Sequence, residues 1–276
     1  MGLAEQTGQA ARSLAVRALV TGASSGIGRA VAEQLLADGW DVLGLSRTYP
    51  KGMLEYERFS WHHGDLLTGY GVNHLHHRLA NGLDAVVHAA AMQGPIGPVD
   101  ETRSQDWLDC IRVNLIGTYR VVSVALPFLQ QSADGRLLLF SGGGAFNARP
   151  EYSAYAVAKA GVVSLMETLA TELPPNVTVN CVSPGWVPTP MNGHPDAPSP
   201  EKDRAVACVM HLLSPETRGL TGRTISAEYD GWQSLNQQTI PLMGKMGTRA
   251  RHKVWPMNVD GSFVYRSDGS DVAEVV

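Results

Sequence analysis

The order of its apolar runs constrains this chain more than any other feature. AVRALVT (15–21), DVLGLS (41–46), FSWHH (59–63), DAVVHAA (84–90), RLLLFS (136–141), VTVNCVS (177–183) and GRTISAE (222–228) read as strands. Helical stretches lie between them at about 29–39, 68–81, 105–129, 153–173 and 201–213. In the first, Ile27, Val31 and Leu35 recur at i, i+4 and i+8, and Gly39 suits a C-cap. A strand that returns through a crossover helix lies parallel to its predecessor. Runs that are apolar throughout belong to strands covered on both faces. The expected fold is a single-domain α/β doubly wound parallel sheet with helices on both faces.

Composition agrees with one large domain. Of 276 residues, 44% are hydrophobic and 17% charged, enough to bury a sizeable core. A net charge of -4 gives no reason to expect nucleic acid or an anionic membrane surface as partner. No run of about 18 apolar residues is present, so no transmembrane helix is expected. The first residues have no apolar segment of the signal-peptide type. Cys110, Cys181 and Cys208 are odd in number and far apart, which fits neither a disulfide framework nor a zinc knuckle and suits a cytoplasmic setting. Residues 1–14 are expected to be loose, 15–228 to form the catalytic domain, and 229–276 to be an extension packed on that domain or a neighbouring subunit. The polar NGHPDAPSP (192–200) reads as a flexible loop.

Two local patterns carry chemistry. Thr21-Gly22-Ala23-Ser24-Ser25-Gly26-Ile27-Gly28 joins the first strand to the first helix. Glycines there let the backbone turn sharply and approach a pyrophosphate, which the helix N-terminus attracts. An ordinary glycine-rich turn is the competing reading, weakened by the strand–turn–helix context. In Tyr155-Ala156-Val157-Ala158-Lys159, the tyrosine and lysine share a helix face at i, i+4. An adjacent ammonium is expected to lower the phenol toward neutrality and make it a proton donor and acceptor. Alone, such a pair would be read as helix surface.

Together these residues resemble the classical short-chain dehydrogenase/reductase family, over roughly 15–228. TGASSGIG, Asp65-Leu66 after the third strand, Asn114 in the long helix, YAVAK and Pro184-Gly185-Trp186-Val187-Pro188-Thr189 follow in the family's order. The resemblance implies a Rossmann-like fold and NADP(H) or NAD(H) as cofactor. It implies that Gly22, Ser24, Ser25, Gly26, Ile27 and Gly28 cradle the pyrophosphate, and that Asp65 and Leu66 flank the adenine. Ala89 and Ala90 would also touch the cofactor, as would Pro184 and Gly185. Val187 and Thr189 would contact the nicotinamide carboxamide. Tyr155 would be the general acid/base, Lys159 would bind the ribose and tune Tyr155, and Asn114 would hold a water in a proton relay.

The chain departs from the family pattern in two places. His88-Ala89-Ala90-Ala91 replaces the usual Asn-Asn-Ala-Gly, a change with an expected structural role only. Gly142 stands 13 residues before the tyrosine, where a catalytic serine is usual; Ser141, beside three glycines, is the candidate substitute. At the end of the second strand, neutral Ser46 followed by Arg47 suits a 2′-phosphate and favours NADP(H) over NAD(H), with a solvated arginine as the alternative.

The expected activity is hydride transfer between NADP(H) and a carbonyl or alcohol carbon. A cofactor-binding sensor without chemistry and a redox-neutral, epimerase-type enzyme are the alternatives. The histidines at 62, 63, 74, 76 and 77 are expected to be solvated rather than metal ligands. Lys245, Arg249, Arg251, His252 and Lys253 read as a solvated loop, or alternatively as a site for an anionic substrate group. Trp232 and Trp255 are expected to anchor the extension. TGRTISAEYDGW resembles a branch of the family associated with glycan building, a hint toward a sugar-like or phosphorylated substrate. A homodimer or homotetramer is expected, pairing through the long helices by way of Ala154, Ala158, Val162 and Leu165.

Overall fold

The computed structural model describes residues 16–240. Strands β1 (Arg17–Thr21), β2 (Asp41–Ser46), β3 (Phe59–His63), β4 (Ala85–His88), β5 (Gly135–Phe140), β6 (Val177–Ser183) and β7 (Arg223–Ser226) form one sheet. Its order is β3-β2-β1-β4-β5-β6-β7, and neighbouring strands pair in parallel throughout. The sheet grows outward in both directions from β1 and β4. Their carboxyl ends therefore diverge into a crevice, where doubly wound sheets bind ligands.

Helices α1 (Gly26–Ala37) and α6 (Pro200–Leu213) cover one face through Val31, Leu35, Val209 and Leu212. Helices α2 (Leu75–Leu79), α4 (Gly117–Leu129) and α5 (Ser153–Glu172) cover the other through Leu75, Val121, Val162 and Met166. Strand β5 serves both: Leu138 and Phe140 join the first cluster, Leu137 and Leu139 the second. Its six residues are all buried, so a run without polar alternation is what this position requires. Each such leucine contributes about 1.5–3 kcal/mol by burial.

The long helix expected at 105–129 is interrupted. Helix α3 (Ser104–Ile111) passes into a π-helical segment, Arg112–Ile116, before α4 begins. The 68–81 stretch is shorter than expected, a 3-10 turn at Val72–His74 followed by the single turn and a half of α2. Ala154, Ala158 and Val162 do not form the outward face expected of them; all three are buried within their own chain. Packing on the sheet and on the π-helical segment already occupies that face of α5. The apolar side chains exposed on these helices are instead Leu108, Ile116, Tyr119 and Val157.

Beyond β7, Trp232 and Leu235 pack into the α1–α6 cluster, and the Trp232 indole N–H donates to the Ala227 carbonyl at 3.2 Å. Residues 1–14, the basic run from Lys245 to Lys253, and Trp255 lie outside the described residues. Among the described residues no helix is long and apolar enough to cross a membrane.

Candidate functional site

The glycine turn sits at the carboxyl end of β1, at the crevice. Gly22 has φ +72°, and a β-carbon there would stand 3.0 Å from the Ala90 backbone. A β-carbon on Gly28 would lie 2.6 Å from the Gly22 carbonyl oxygen, so α1 and β1 pack this closely only with glycine. The cleft is lined on one wall by Gly22, Ser24, Ser25, Gly26, Ile27 and Gly28. Arg47, Asp65 and Leu66 line it on the β2–β3 side, and Ala89 and Ala90 at β4. Ser141, Tyr155, Lys159, Pro184 and Thr189 close the β5–β6 side. This cradle of bare backbone at a helix N-terminus fits a dinucleotide's pyrophosphate.

Three expected residues are not in the lining. Val187 is buried, and its carbonyl accepts from Asn192 Nδ2 at 2.9 Å. Gly185 has φ +78°, with Glu228 where a side chain would go. Asn114 is 1% exposed, and its amide is already engaged: Nδ2 donates to the Met92 and Cys110 carbonyls at 2.8 and 3.0 Å, while Oδ1 accepts from Met92 N–H at 3.1 Å. It ties the π-helical segment to the irregular segment that follows β4. Ser46 is engaged as well, donating to the Thr48 carbonyl at 2.8 Å and accepting from the Trp61 indole at 3.0 Å. Arg47 beside it is exposed.

Tyr155 and Lys159 come together at the cleft as the i, i+4 spacing requires, with Lys159 Nζ 5.6 Å from the Tyr155 ring centroid. Their electrostatics reverse the expectation. Burial pushes the Tyr155 phenol up to about 12 and lowers the Lys159 ammonium to about 8. The lysine donates to the Phe140 carbonyl at 2.9 Å. In this state desolvation outweighs the attraction that the two groups' proximity suggested.

Position 142 faces the tyrosine. A β-carbon there would stand 2.7 Å from the Tyr155 hydroxyl oxygen. The neighbouring Ser141 is 2% exposed, and its hydroxyl is buried without a hydrogen-bond partner. A buried hydroxyl left unpaired costs about 1–3 kcal/mol.

His88 does more than the sequence suggested. It is buried, with Nδ1 at 3.1 Å from the Thr21 hydroxyl and Nε2 at 3.0 Å from the Thr118 hydroxyl. Thr118 donates its only proton to the Asn114 carbonyl at 2.6 Å, so His88 Nε2–H must donate to Thr118. Nδ1 then accepts from Thr21, whose oxygen receives the Ala90 N–H at 3.1 Å. The ring is neutral, because burial, aided by the Lys159 charge, lowers it to about 3. This chain of bonds fixes Ala90 and Asn114 relative to each other.

Replacing His88→Leu should lower unfolding free energy by about 1–3 kcal/mol, read by urea denaturation, with His88→Asn retaining more. The pH dependence has a definite sign. The unfolded imidazole takes a proton near 6.5 and the folded one near 3, so the wild type loses stability as pH falls between them. The leucine variant should lack that part of the acid slope; parallel slopes would refute the assignment.

The 192–200 segment has internal hydrogen bonding that its composition concealed. Thr189 and Asn192 form a reciprocal cap, and the His194 ring packs edge-on to Trp186 with centroids 5.2 Å apart. Asp196 reaches the glycine turn: its Oδ2 accepts from Gly26 N–H at 3.0 Å, and its Oδ1 from Lys202 Nζ at 2.7 Å. No spacing in the sequence connects Asp196 to Gly26. Among the described residues no group of three or more His, Cys, Asp and Glu could hold a metal ion. His62 pairs with the Gly71 carbonyl, and His63 packs on Trp61 and Tyr70.

Comparison with known proteins agrees with this geometry. Residues 16–198 match the family model described as short chain dehydrogenase. The oxidoreductase YciK of Escherichia coli K12, itself uncharacterized, is 32% identical over 228 residues, covering 76% of this chain and 90% of that protein. The 3-oxoacyl-[acyl-carrier-protein] reductase FabG of Aquifex aeolicus is 30% identical over 193 residues, 63% of this chain and 74% of that one. A short chain dehydrogenase from Escherichia coli CFT073, solved in complex with NADPH, superposes with a TM-score of 0.71 at 30% identity, covering 77% of this chain and 96% of that one.

Proposed function

The chain belongs to the short-chain dehydrogenase/reductase family of oxidoreductases, and from that premise we propose that it transfers a hydride between NADP(H) and a carbonyl or secondary alcohol substrate. The observation that carries this reading is that Tyr155, Lys159 and Ser141 all line the cleft that begins at the glycine turn. When bound, the nicotinamide supplies or accepts the hydride. The protein's part is to orient the substrate and manage one proton and one developing charge. Tyr155, neutral with a phenol near 12, passes its proton to the substrate oxygen during reduction. Ser141 donates a second hydrogen bond to that oxygen as it gathers negative charge. Lys159 lies below the tyrosine to hold the ribose. The Asn114 amide is engaged with Met92 and Cys110, so a relay water there would be held by its main-chain carbonyl rather than by its side chain.

We assign NADP(H) over NAD(H) on Arg47, exposed at the cleft and free of any acidic neighbour at positions 46 and 48. The NADPH-bound relative supports that choice by analogy. A charge-assisted pair contributes about 1.5–3 kcal/mol, so Arg47→Ala should reduce the preference for NADPH over NADH by about tenfold or more. Titration of the unmodified protein with both cofactors is the check, and equal or tighter NADH binding rejects the assignment. We also assign the chain a homo-oligomeric state, with the exposed Leu108, Ile116, Tyr119 and Val157 as the apolar side chains available to it.

The activity itself is tested by a panel of carbonyl compounds including acyl thioesters, sugars and nucleotide sugars, following loss of NADPH absorbance. Cofactor binding without turnover on any of them would favour a sensor.

A further inference from the structure

Resting on the cofactor assignment above, we propose that Asp196 and Lys202 form an anion latch on the pyrophosphate subsite. In the free protein the Asp196 carboxylate holds the place that a cofactor phosphoryl group takes. When that carboxylate leaves, Lys202 receives the phosphoryl group in its stead.

Helix α1 starts at Gly26, and the first N–H groups of any helix lack partners within it. The N-cap residue Ser25 makes no side-chain capping bond. The Gly26 N–H is instead satisfied by a carboxylate 170 residues away in sequence. An anion is therefore already seated where the glycine turn presents its backbone and the helix its positive end. Its second oxygen is held by Lys202, a residue 5% exposed.

The position of Lys202 calls for a ligand of this kind. It lies in the first turn of α6, where the helix dipole disfavours a cation and Glu201 and Asp203 are the expected residue types. A buried ammonium is also costly unless an anion pairs with it. Burial pushes the Asp196 carboxyl up, but Lys202, the Gly26 N–H and Arg29 together bring it below the usual carboxylate range, so it is anionic at neutral pH. A phosphoryl group offers the same pair of negatively charged oxygens to the same N–H and the same ammonium.

The carboxylate and a pyrophosphate cannot share the turn, because they repel. The loop is built to give way. Residues 193–198 are exposed, Gly193 begins the segment at φ +82°, and Ser199 ends it as the N-cap of α6. The Asp196 contacts, the His194–Trp186 packing and the bond from His194 N–H to the Thr189 carbonyl at 3.1 Å hold it against the body. Thr189, just before this loop, already lies against Gly26 and would stay in place.

The test is calorimetric titration of the full chain with NADPH, inorganic pyrophosphate and adenosine 2′-monophosphate. Asp196→Asn and Asp196→Ala should each bind NADPH and pyrophosphate about tenfold more tightly than the unmodified protein, the equivalent of one charge-assisted hydrogen bond no longer displaced. Lys202→Gln should weaken both by a similar factor. Adenosine 2′-monophosphate has no pyrophosphate and should bind all variants alike. Asp203→Asn, with the same change of charge on an exposed residue of α6, should leave NADPH affinity within about twofold. Because Lys202 is buried, the Asp196 variants decide the matter. Unchanged or weaker NADPH binding in both would show that Asp196 is a permanent helix cap and overturn the latch. Failure of the unmodified protein to bind any nicotinamide cofactor would instead remove the cofactor assignment, and the latch with it.

Discussion

Tyr155→Phe should remove turnover while leaving NADPH affinity nearly unchanged. The substitution deletes one hydroxyl and preserves the ring that packs with Cys110 and Ala154. Positioned proton transfer contributes about 10²–10⁴-fold, so the residual rate should fall to a hundredth or less. Retention of more than about a tenth of the rate would refute the acid/base role. The two reaction directions should also differ in their pH profiles. With the phenol near 12, the tyrosine is the protonated acid that carbonyl reduction needs throughout the neutral range. Alcohol oxidation needs the phenolate, so its kcat/KM should rise by about tenfold per pH unit through the neutral range, below the point near 8 where Lys159 loses its charge, while reduction stays flat there. A bound, positively charged nicotinamide would move the onset of that rise to lower pH without changing its sign.

Ser141→Ala should lower kcat by about 10²–10³-fold, the usual effect of losing one donor to a developing oxyanion. The fold should not suffer. The Ser141 hydroxyl is buried without a partner, so its removal should leave the melting temperature unchanged or raise it. Falling activity with undiminished stability is the signature of a hydroxyl retained for the reaction. An unchanged rate on the true substrate would remove Ser141 from the mechanism. Gly142→Ser separates the two positions. Its β-carbon would meet the Tyr155 hydroxyl at 2.7 Å, so either the tyrosine end or the backbone must shift. The expected result is a slower enzyme, because Tyr155 is positioned against a glycine.

The parts of this protein that could be read from the chain are those determined between near neighbours. Apolar runs such as 136–141 announce strands buried on both faces, and β5 is wholly buried. The glycines at 22 and 28 mark a backbone that touches itself, which is a local steric fact. Tyr155 and Lys159 share a helix face whatever surrounds them. The same local reasoning misplaced Ala154, Ala158 and Val162, because periodicity identifies an apolar face and not what covers it.

Tertiary structure decided what depends on burial and on groups distant in sequence. The phenol's direction of shift followed from desolvation, a property of the assembled cleft that a YxxxK spacing does not contain. The proton order through Thr21, His88 and Thr118 required knowing that Thr118 gives its hydrogen to the Asn114 carbonyl. Asp196 met Gly26 only because the crossover from β6 to α6 passes over the mouth of the crevice. The sequence by itself determined the strands, the crossover helices, the glycine turn and the Tyr–Lys pair, since each arises from backbone sterics and side-chain spacing within a few residues. The protonation states, the place of Ser141 and the anion seated on the glycine turn were decided by folding, because a group's charge and partners depend on which distant segments exclude water from it.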